Sequence, residues 1–291
     1  MSGVQPEDSE GASSLDHVGL CTADGPALWA TYEALGFTLS PVNRQSGRRG
    51  GPDSPLELYG TANRCAMLRQ GYVELLAIVD PSGFDNGLTR FLARYEGMHI
   101  LAFGMEDAEA ELPRLRRAGL EVPGVSPLQR PVDNSGGPPA RFSRLPIPDA
   151  PEGRIQLVQH HTPQLMWQER WLVHANRAVA LEDTILAAPE PAVSATALSR
   201  LAGLPFEPDP AGGYVLPLPV GRVRILPPAA LERALPGVAA PGLPFLAACT
   251  LRTDDGNEAI RRIAGDRLRV VPGGLMLPPE HAGGTALIFA A

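Results

Sequence analysis

The chain has 291 residues, of which 44% are hydrophobic, and a net charge of −7. That length accommodates two domains with cores of their own. The acidic balance, without a basic stripe carrying interleaved aromatics, excludes a nucleic-acid backbone as the expected partner. No apolar run approaches the ~20 residues that span a bilayer, and the start lacks the features of a secretory leader. Cys21, Cys65 and Cys249 are far apart in apolar runs, as expected of reduced, buried thiols in a cytoplasmic protein.

In chain order, a polar tail over residues 1–13 is expected to be disordered. Leu15 to Thr22 reads as a strand. Asp24 to Leu35 reads as a helix, with Leu28, Tyr32 and Leu35 at helical spacing and Gly36 as its stop. Phe37 to Val42 is a predicted strand and Arg44 to Pro55 a loop, followed by a hairpin of Asn63 to Arg69 and Tyr72 to Val79 about Gln70-Gly71. The order is βαβββ. It recurs with a strand at Met98 to Met105, a helix at Ala108 to Ala118, a strand within Glu121 to Pro131, and strands at Arg141 to Ile147 and Arg154 to Gln159. A connector, His160 to His174, carries Trp167 and Trp171, for which packing is the default role. Two weaker copies are predicted beyond it. One comprises Leu181 to Ala188, the helix Ala192 to Leu201, Tyr214 to Pro217 and Arg222 to Leu226. The other comprises Phe245 to Leu251, the helix Gly256 to Ile263, Leu268 to Val271, Gly274 to Leu277 and Thr285 to Ala290.

One spacing occurs twice. His17 and Glu74 are 57 residues apart, and so are His99 and Gln156. Each histidine lies on the first strand of its unit and each acid or amide on the last, the trace of an internal duplication with a candidate site between the copies. Strict strand alternation puts His17 with Leu15, Gly19 and Cys21, Glu74 with Tyr72 and Leu76, and His99 with Leu101 and Phe103. A carboxylate among Leu, Ile and Val needs a partner, so Glu74 is expected to meet a metal, a histidine or an arginine. A satisfied buried cluster and a metal site are both compatible with these residues. Arg64, Arg154 and His160 are candidate substrate contacts; ion pairing or structural hydrogen bonding is open for each.

The ordered set Leu15-Asp16-His17-Val18-Gly19-Leu20, Tyr32-Glu33-Ala34-Leu35-Gly36-Phe37, Gly60-Thr61-Ala62-Asn63-Arg64, Tyr72-Val73-Glu74-Leu75-Leu76, Met98-His99-Ile100-Leu101-Ala102 and Gln159-His160-His161-Thr162-Pro163 resembles the vicinal oxygen chelate superfamily, and within it the glyoxalase-like domain proteins. The resemblance covers residues 15 to 165. It implies an α+β fold of four βαβββ modules, two per domain, forming cupped mixed sheets with helices on the outer face. The expected domains are 14–165, with the site, and 170–291, a degenerate copy whose corresponding positions fall near Thr184, Arg224, Cys249 and Leu287.

By position the resemblance implies one divalent metal, Zn, Ni, Mn or Fe, on His17, Glu74 and His99. Gln156 is then a weak or indirect ligand where the family commonly has a glutamate, and Glu74 doubles as catalytic base. The function implied first is a metal-dependent lyase or isomerase acting on a small molecule with adjacent oxygens. The rival readings are a metal-free small-molecule binding or resistance protein and an extradiol-type dioxygenase. A homodimer is expected, because sheet edges between modules need covering.

Overall fold

A computed structural model describes residues 11–49, 54–133, 136–148 and 150–291. The first quarter contains β1 (Ser14–Thr22), α1 (Gly25–Ala34), β2 (Asn43–Gly47), β3 (Glu57–Met67) and β4 (Tyr72–Ile78). The Asp24 side chain accepts the Ala27 N–H at the start of α1, where Pro26 sacrifices no needed donor. β4 returns parallel to β1, and β3 and β2 add antiparallel beyond it. A short helix, α2 (Leu88–Leu92), leads into β5 (Gly97–Gly104), α3 (Ala108–Arg117), β6 (Ser126–Arg130), β7 (Ala140–Ile147) and β8 (Arg154–His160). Here β8 returns parallel to β5, with β7 and β6 outside it.

The connector forms α4 (Pro163–Met166) and α5 (Glu169–Leu172). It is followed by β9 (Ala178–Ala187), α6 (Pro191–Ala202), β10 (Glu207–Pro208), β11 (Tyr214–Pro217), β12 (Arg222–Leu226) and α7 (Pro228–Ala234). The chain ends with β13 (Phe245–Thr253), α8 (Glu258–Ala264), β14 (Arg269–Val271), β15 (Gly274–Leu277) and β16 (Ala286–Ala290). β12 is parallel to β9 and β16 to β13, so the first-to-last pairing of the earlier strands recurs. β1 pairs antiparallel with β5, β9 with β13, and Leu246 of β13 meets Met98 of β5, which joins all the strands into one mixed sheet.

One face of this sheet is apolar and lies against helices. Val18, Leu20, Val73, Leu75, Leu101, Phe103 and Leu157 pack with Leu28 and Tyr32 of α1, Leu115 of α3, Leu198 of α6 and Ile260 of α8 in a single core. Removing that apolar surface from water is the main drive to this arrangement. The opposite face of the β1–β8 strands forms a cup. Its floor is covered at one end by Leu88 and Phe91 of α2, and at the other by Met166, Trp171 and Leu172 of the connector.

Three expectations need correction. Residues 37–42 are not a strand: Phe37 and Leu39 are buried in the core, Pro41 has no N–H for a ladder, and pairing begins at Asn43 and continues through Gly47 into the expected loop. The first ten residues of the expected tail lie outside the described residues. Residues 11–13, however, are tied down, since Gly11 N–H donates to Glu111, Ala12 N–H to Ala202 O and Ser13 N–H to Gly104 O. The short helices α2 and α7 were not anticipated. No described helix is long and apolar enough to cross a membrane.

Candidate functional site

The β1–β5 pair contains two bulges. Leu15 pairs with Phe103 and His17 with Ala102, which leaves Asp16 extra on β1. Gly19 pairs with Ile100 and Leu20 with Met98, which leaves His99 extra on β5. A bulge inserts an unpaired residue and re-aims the side chains beside it. The two bulges are related by a local twofold that equates Asp16 with His99 and His17 with Ile100. On the returning strands, His17 pairs with Tyr72 and Ile100 with Arg154. Tyr72 and Arg154 are therefore 82 residues apart, but His17 and Ile100 are 83 apart. The equal spacing of 57 residues does not equate His99 with His17: the true counterpart is Ile100.

His99 serves the fold. It is fully buried, stacks on Tyr95 at 3.9 Å and on Phe91 at 5.2 Å, and its Nε2 donates to Tyr95 O at 2.8 Å. Its neighbours in the alternation, Leu101 and Phe103, face the helices instead. Burial pulls its pKa down from 6.5 to about 4, against the raising effect of its hydrogen bond to Tyr95 O. The unfolded chain therefore takes up this proton before the folded one does. Stability present above pH 6.5 is lost as pH falls toward 4, by roughly 2–3 kcal/mol. Denaturant titrations of His99→Phe are expected to show a shallower loss of stability across that window than wild type. An equal slope would contradict the assignment.

Bulging turns Asp16 onto the cup face beside His17. His17 Nδ1 lies 2.6 Å from Asp16 Oδ1, and His160 Nε2 lies 2.9 Å from Asp16 Oδ2. A carboxylate only accepts, so both rings donate to it, and the His17 ring keeps its Nε2 lone pair available. No hydrogen bond among the described residues uses His17 Nε2. The His17 ring stacks on Tyr72 at 4.4 Å, which fixes its plane. Burial works to raise the Asp16 pKa, but the charge and hydrogen bond of His160 and those of His17 outweigh it and hold the carboxyl well below the usual range.

Glu74 pairs across β3 with Cys65, and its carboxylate accepts from Asn63 Nδ2. Asn63 Oδ1 in turn accepts from Arg130 at 3.1 Å. Arg130 sits on β6 against Cys65, Met166 and the Phe142 ring. Gln156 and Arg154 share the cup face of β8. Arg154 donates to Asn86 O at 2.6 Å, and Gln156 Oε1 is buried without a partner. Arg144 on β7 has a buried Nε without a partner, and no hydrogen bond or ion pair holds its guanidinium among the described residues. Burial and the facing Arg154 charge lower its pKa, partly countered by Glu74.

The structure thus brings His17, Glu74, Gln156, Arg154 and His160 onto one face. It does not do so for Arg64, which lies on the helix side, donating to Ser40 O and pairing with Glu33 of α1 at 2.8 Å. Asp16, Arg130 and Arg144 were missed. Strict alternation assigned Asp16 to the other face, but the Asp-His dipeptide was a usable signal, as were lone arginines in otherwise apolar strands.

The residues do not fit a single divalent ion. Among the described residues no three His, Cys, Asp or Glu side chains are grouped to ligate one, the Nε2 of His99 is committed to Tyr95, and the position related to His17 is Ile100. In the second half the register places Asp183 opposite Arg222 as His17 is opposite Tyr72, and Ala248 opposite Ala286 as Ile100 is opposite Arg154. The counterparts are therefore Asp183, Arg224, Ala248 and Ile288, rather than Thr184, Arg224, Cys249 and Leu287.

The family profile of the glyoxalase-like domain matches residues 15–202, about two thirds of the chain. The chain belongs to the glyoxalase-like domain family. Its fold is that of the vicinal oxygen chelate superfamily. A hypothetical protein from Staphylococcus aureus aligns over 94% of this chain and 97% of its own, with a TM-score of 0.65 and 12% identity. A triple mutant of 4-hydroxymandelate synthase from Streptomyces coelicolor aligns over 90% of this chain and 78% of its own, with a TM-score of 0.58 and 12% identity. A fusion protein of a xylose isomerase-like TIM barrel with 4-hydroxyphenylpyruvate dioxygenase aligns over 91% of this chain and 41% of its own, with a TM-score of 0.52 and 14% identity. At these identities the likeness is one of fold. No protein of curated function matches the chain.

Proposed function

We propose that this glyoxalase-like protein catalyses a proton transfer of the isomerase or lyase type on a small molecule held in the cup of β1–β8, with His17 as base. The observation that carries this reading is the 2.6 Å contact of Asp16 with His17 Nδ1. It holds the tautomer whose Nε2 accepts a proton, and it offsets the charge of the imidazolium that forms. His17 Nε2 takes a proton from a carbon beside a carbonyl, and the C–H electron pair moves into the carbonyl oxygen to give an enolate. Where the deprotonated carbon carries a hydroxyl, that hydroxyl's proton passes to the enolate oxygen and the proton held by His17 returns to the former carbonyl carbon, which completes an isomerisation. Where the carbon beta to the carbonyl carries a leaving group, the carbonyl re-forms, a carbon–carbon double bond forms and the group departs with its bonding pair, taking up the proton from His17, which completes an elimination. Glu74, held by Asn63, faces the same volume and is placed to take part in the return.

A metal-free binding role without turnover is the second reading. It is favoured by the cover over the cup, where Trp167 lies edge-on to Tyr72 at 6.1 Å and Trp171 packs beside Met67. The discriminating experiment is proton NMR in deuterium oxide with a panel of short 2-oxo and 2-hydroxy acids. Loss of the signal of the hydrogen beside the carbonyl, dependent on wild-type protein and absent with His17→Gln, supports catalysis. Ligand binding without deuterium incorporation supports the second reading.

A further inference from the structure

Arg130, Arg144 and Arg154 reach the cup from β6, β7 and β8, and none has a carboxylate partner among the described residues. On that face Glu74 is engaged by Asn63, and Asp16 is shared by two histidines. Of the three guanidinium groups, Arg130 is held by Asn63 Oδ1 and two sulfurs, and Arg154 by Asn86 O. Arg144 has nothing. Leaving an ionised group unpaired in the interior costs several kcal/mol, and a fold retains such a group when something else pairs it. Beside Arg144 is a second orphan of opposite kind. Arg144 pairs with Val158 and Gln156 with Pro146 in the β7–β8 ladder, so the two side chains are diagonal neighbours on one face. The first presents a buried donor at Nε, the second a buried acceptor at Oε1.

We infer that β7 and β8 carry a carboxylate clamp. Arg144, backed by Arg154, binds the carboxylate of a small acid, and Gln156 Oε1 accepts from a hydroxyl on the adjacent carbon. The ligand class is thus a short 2-hydroxy acid, or a 2-oxo acid in its enol form, which carries the same hydroxyl. A guanidinium presents paired donors that match a carboxylate, which a neutral group cannot reproduce. The inference deepens the proposed function by naming the substrate class of its site, but the clamp and the base are separate side chains on separate strands.

The test is calorimetric binding of 2-hydroxybutanoate and of its neutral analogue, 2-hydroxybutanamide, to the full chain. Wild type is expected to bind the acid at least tenfold more tightly than the amide. Arg144→Met is expected to lose that preference while melting at or above the wild-type temperature, because it deletes an unpaired buried charge. His17→Gln is expected to keep the preference, so the clamp stands even if the proton-transfer reading fails. Equal binding of acid and amide by wild type, no binding of the acid at millimolar concentration, or an undiminished preference in Arg144→Met overturns the clamp.

Discussion

His17→Gln is expected to slow deuterium incorporation at the carbon beside the carbonyl of a turned-over acid by at least ~100-fold, the usual contribution of a positioned general base. The glutamine amide can still donate to Asp16, so Asp16 stays paired and the melting temperature is expected to move little. Asp16→Asn tests the other half of the dyad. Its side chain offers an N–H as well as an oxygen, so it no longer enforces the Nδ1–H tautomer, and a large loss of rate is expected although His17 remains. The distances assign this role: Asp16 is 2.6 Å from His17 and 2.9 Å from His160, whereas His99 is turned to Tyr95 on the far side of its bulge. His99→Phe is expected to leave the rate within a few-fold of wild type. A rate unchanged in His17→Gln, or a loss in His99→Phe as large as that in His17→Gln, would move the chemistry elsewhere.

Asp183→Asn is expected to gain stability relative to wild type as pH rises. Asp183 is 2% exposed in the second half's equivalent of the His17 position, with Oδ1 unpartnered and Oδ2 bonded to Arg222 at 2.8 Å. Burial raises its pKa from 3.8 to about 6, beyond what Arg222 and Arg224 pull back. The folded chain therefore holds this proton more tightly than the unfolded one. The stability it lends is complete below pH 3.8 and is lost as pH rises through about 6. The gap corresponds to about 3 kcal/mol. Urea midpoints of wild type and Asp183→Asn between pH 4 and pH 7 measure it: the variant's advantage should grow by most of that amount. A constant difference across the range would mean that the carboxyl is solvated or better paired than its surroundings indicate.

The sequence was most legible where local pattern and tertiary role agree. The strands Tyr214–Pro217, Arg222–Leu226 and Gly274–Leu277 coincide with their expected limits, because each is a short apolar run bounded by Gly or Pro. His17 and Glu74 fall on the anticipated face for the same reason. The rest was hidden by single-residue effects that alternation cannot encode. One bulge at Asp16 brings a carboxylate into the cup, and one at His99 puts Ile100 where a second histidine was expected. Arg130 and Arg144 escaped because β6 and β7 lie in a Pro- and Gly-rich stretch in which their faces cannot be read. Arg64, by contrast, is one residue from Asn63 and hence on the other side of β3, paired with Glu33.

The most direct measurement is deuterium incorporation into a 2-oxo acid by wild type and His17→Gln, each assayed after exhaustive chelation and again after divalent metal is restored. Exchange that persists in chelated wild type and disappears in His17→Gln is the result predicted by a base oriented by Asp16 in a cup whose donors do not converge on an ion. Exchange abolished by chelation, restored by metal and insensitive to His17→Gln would contradict it.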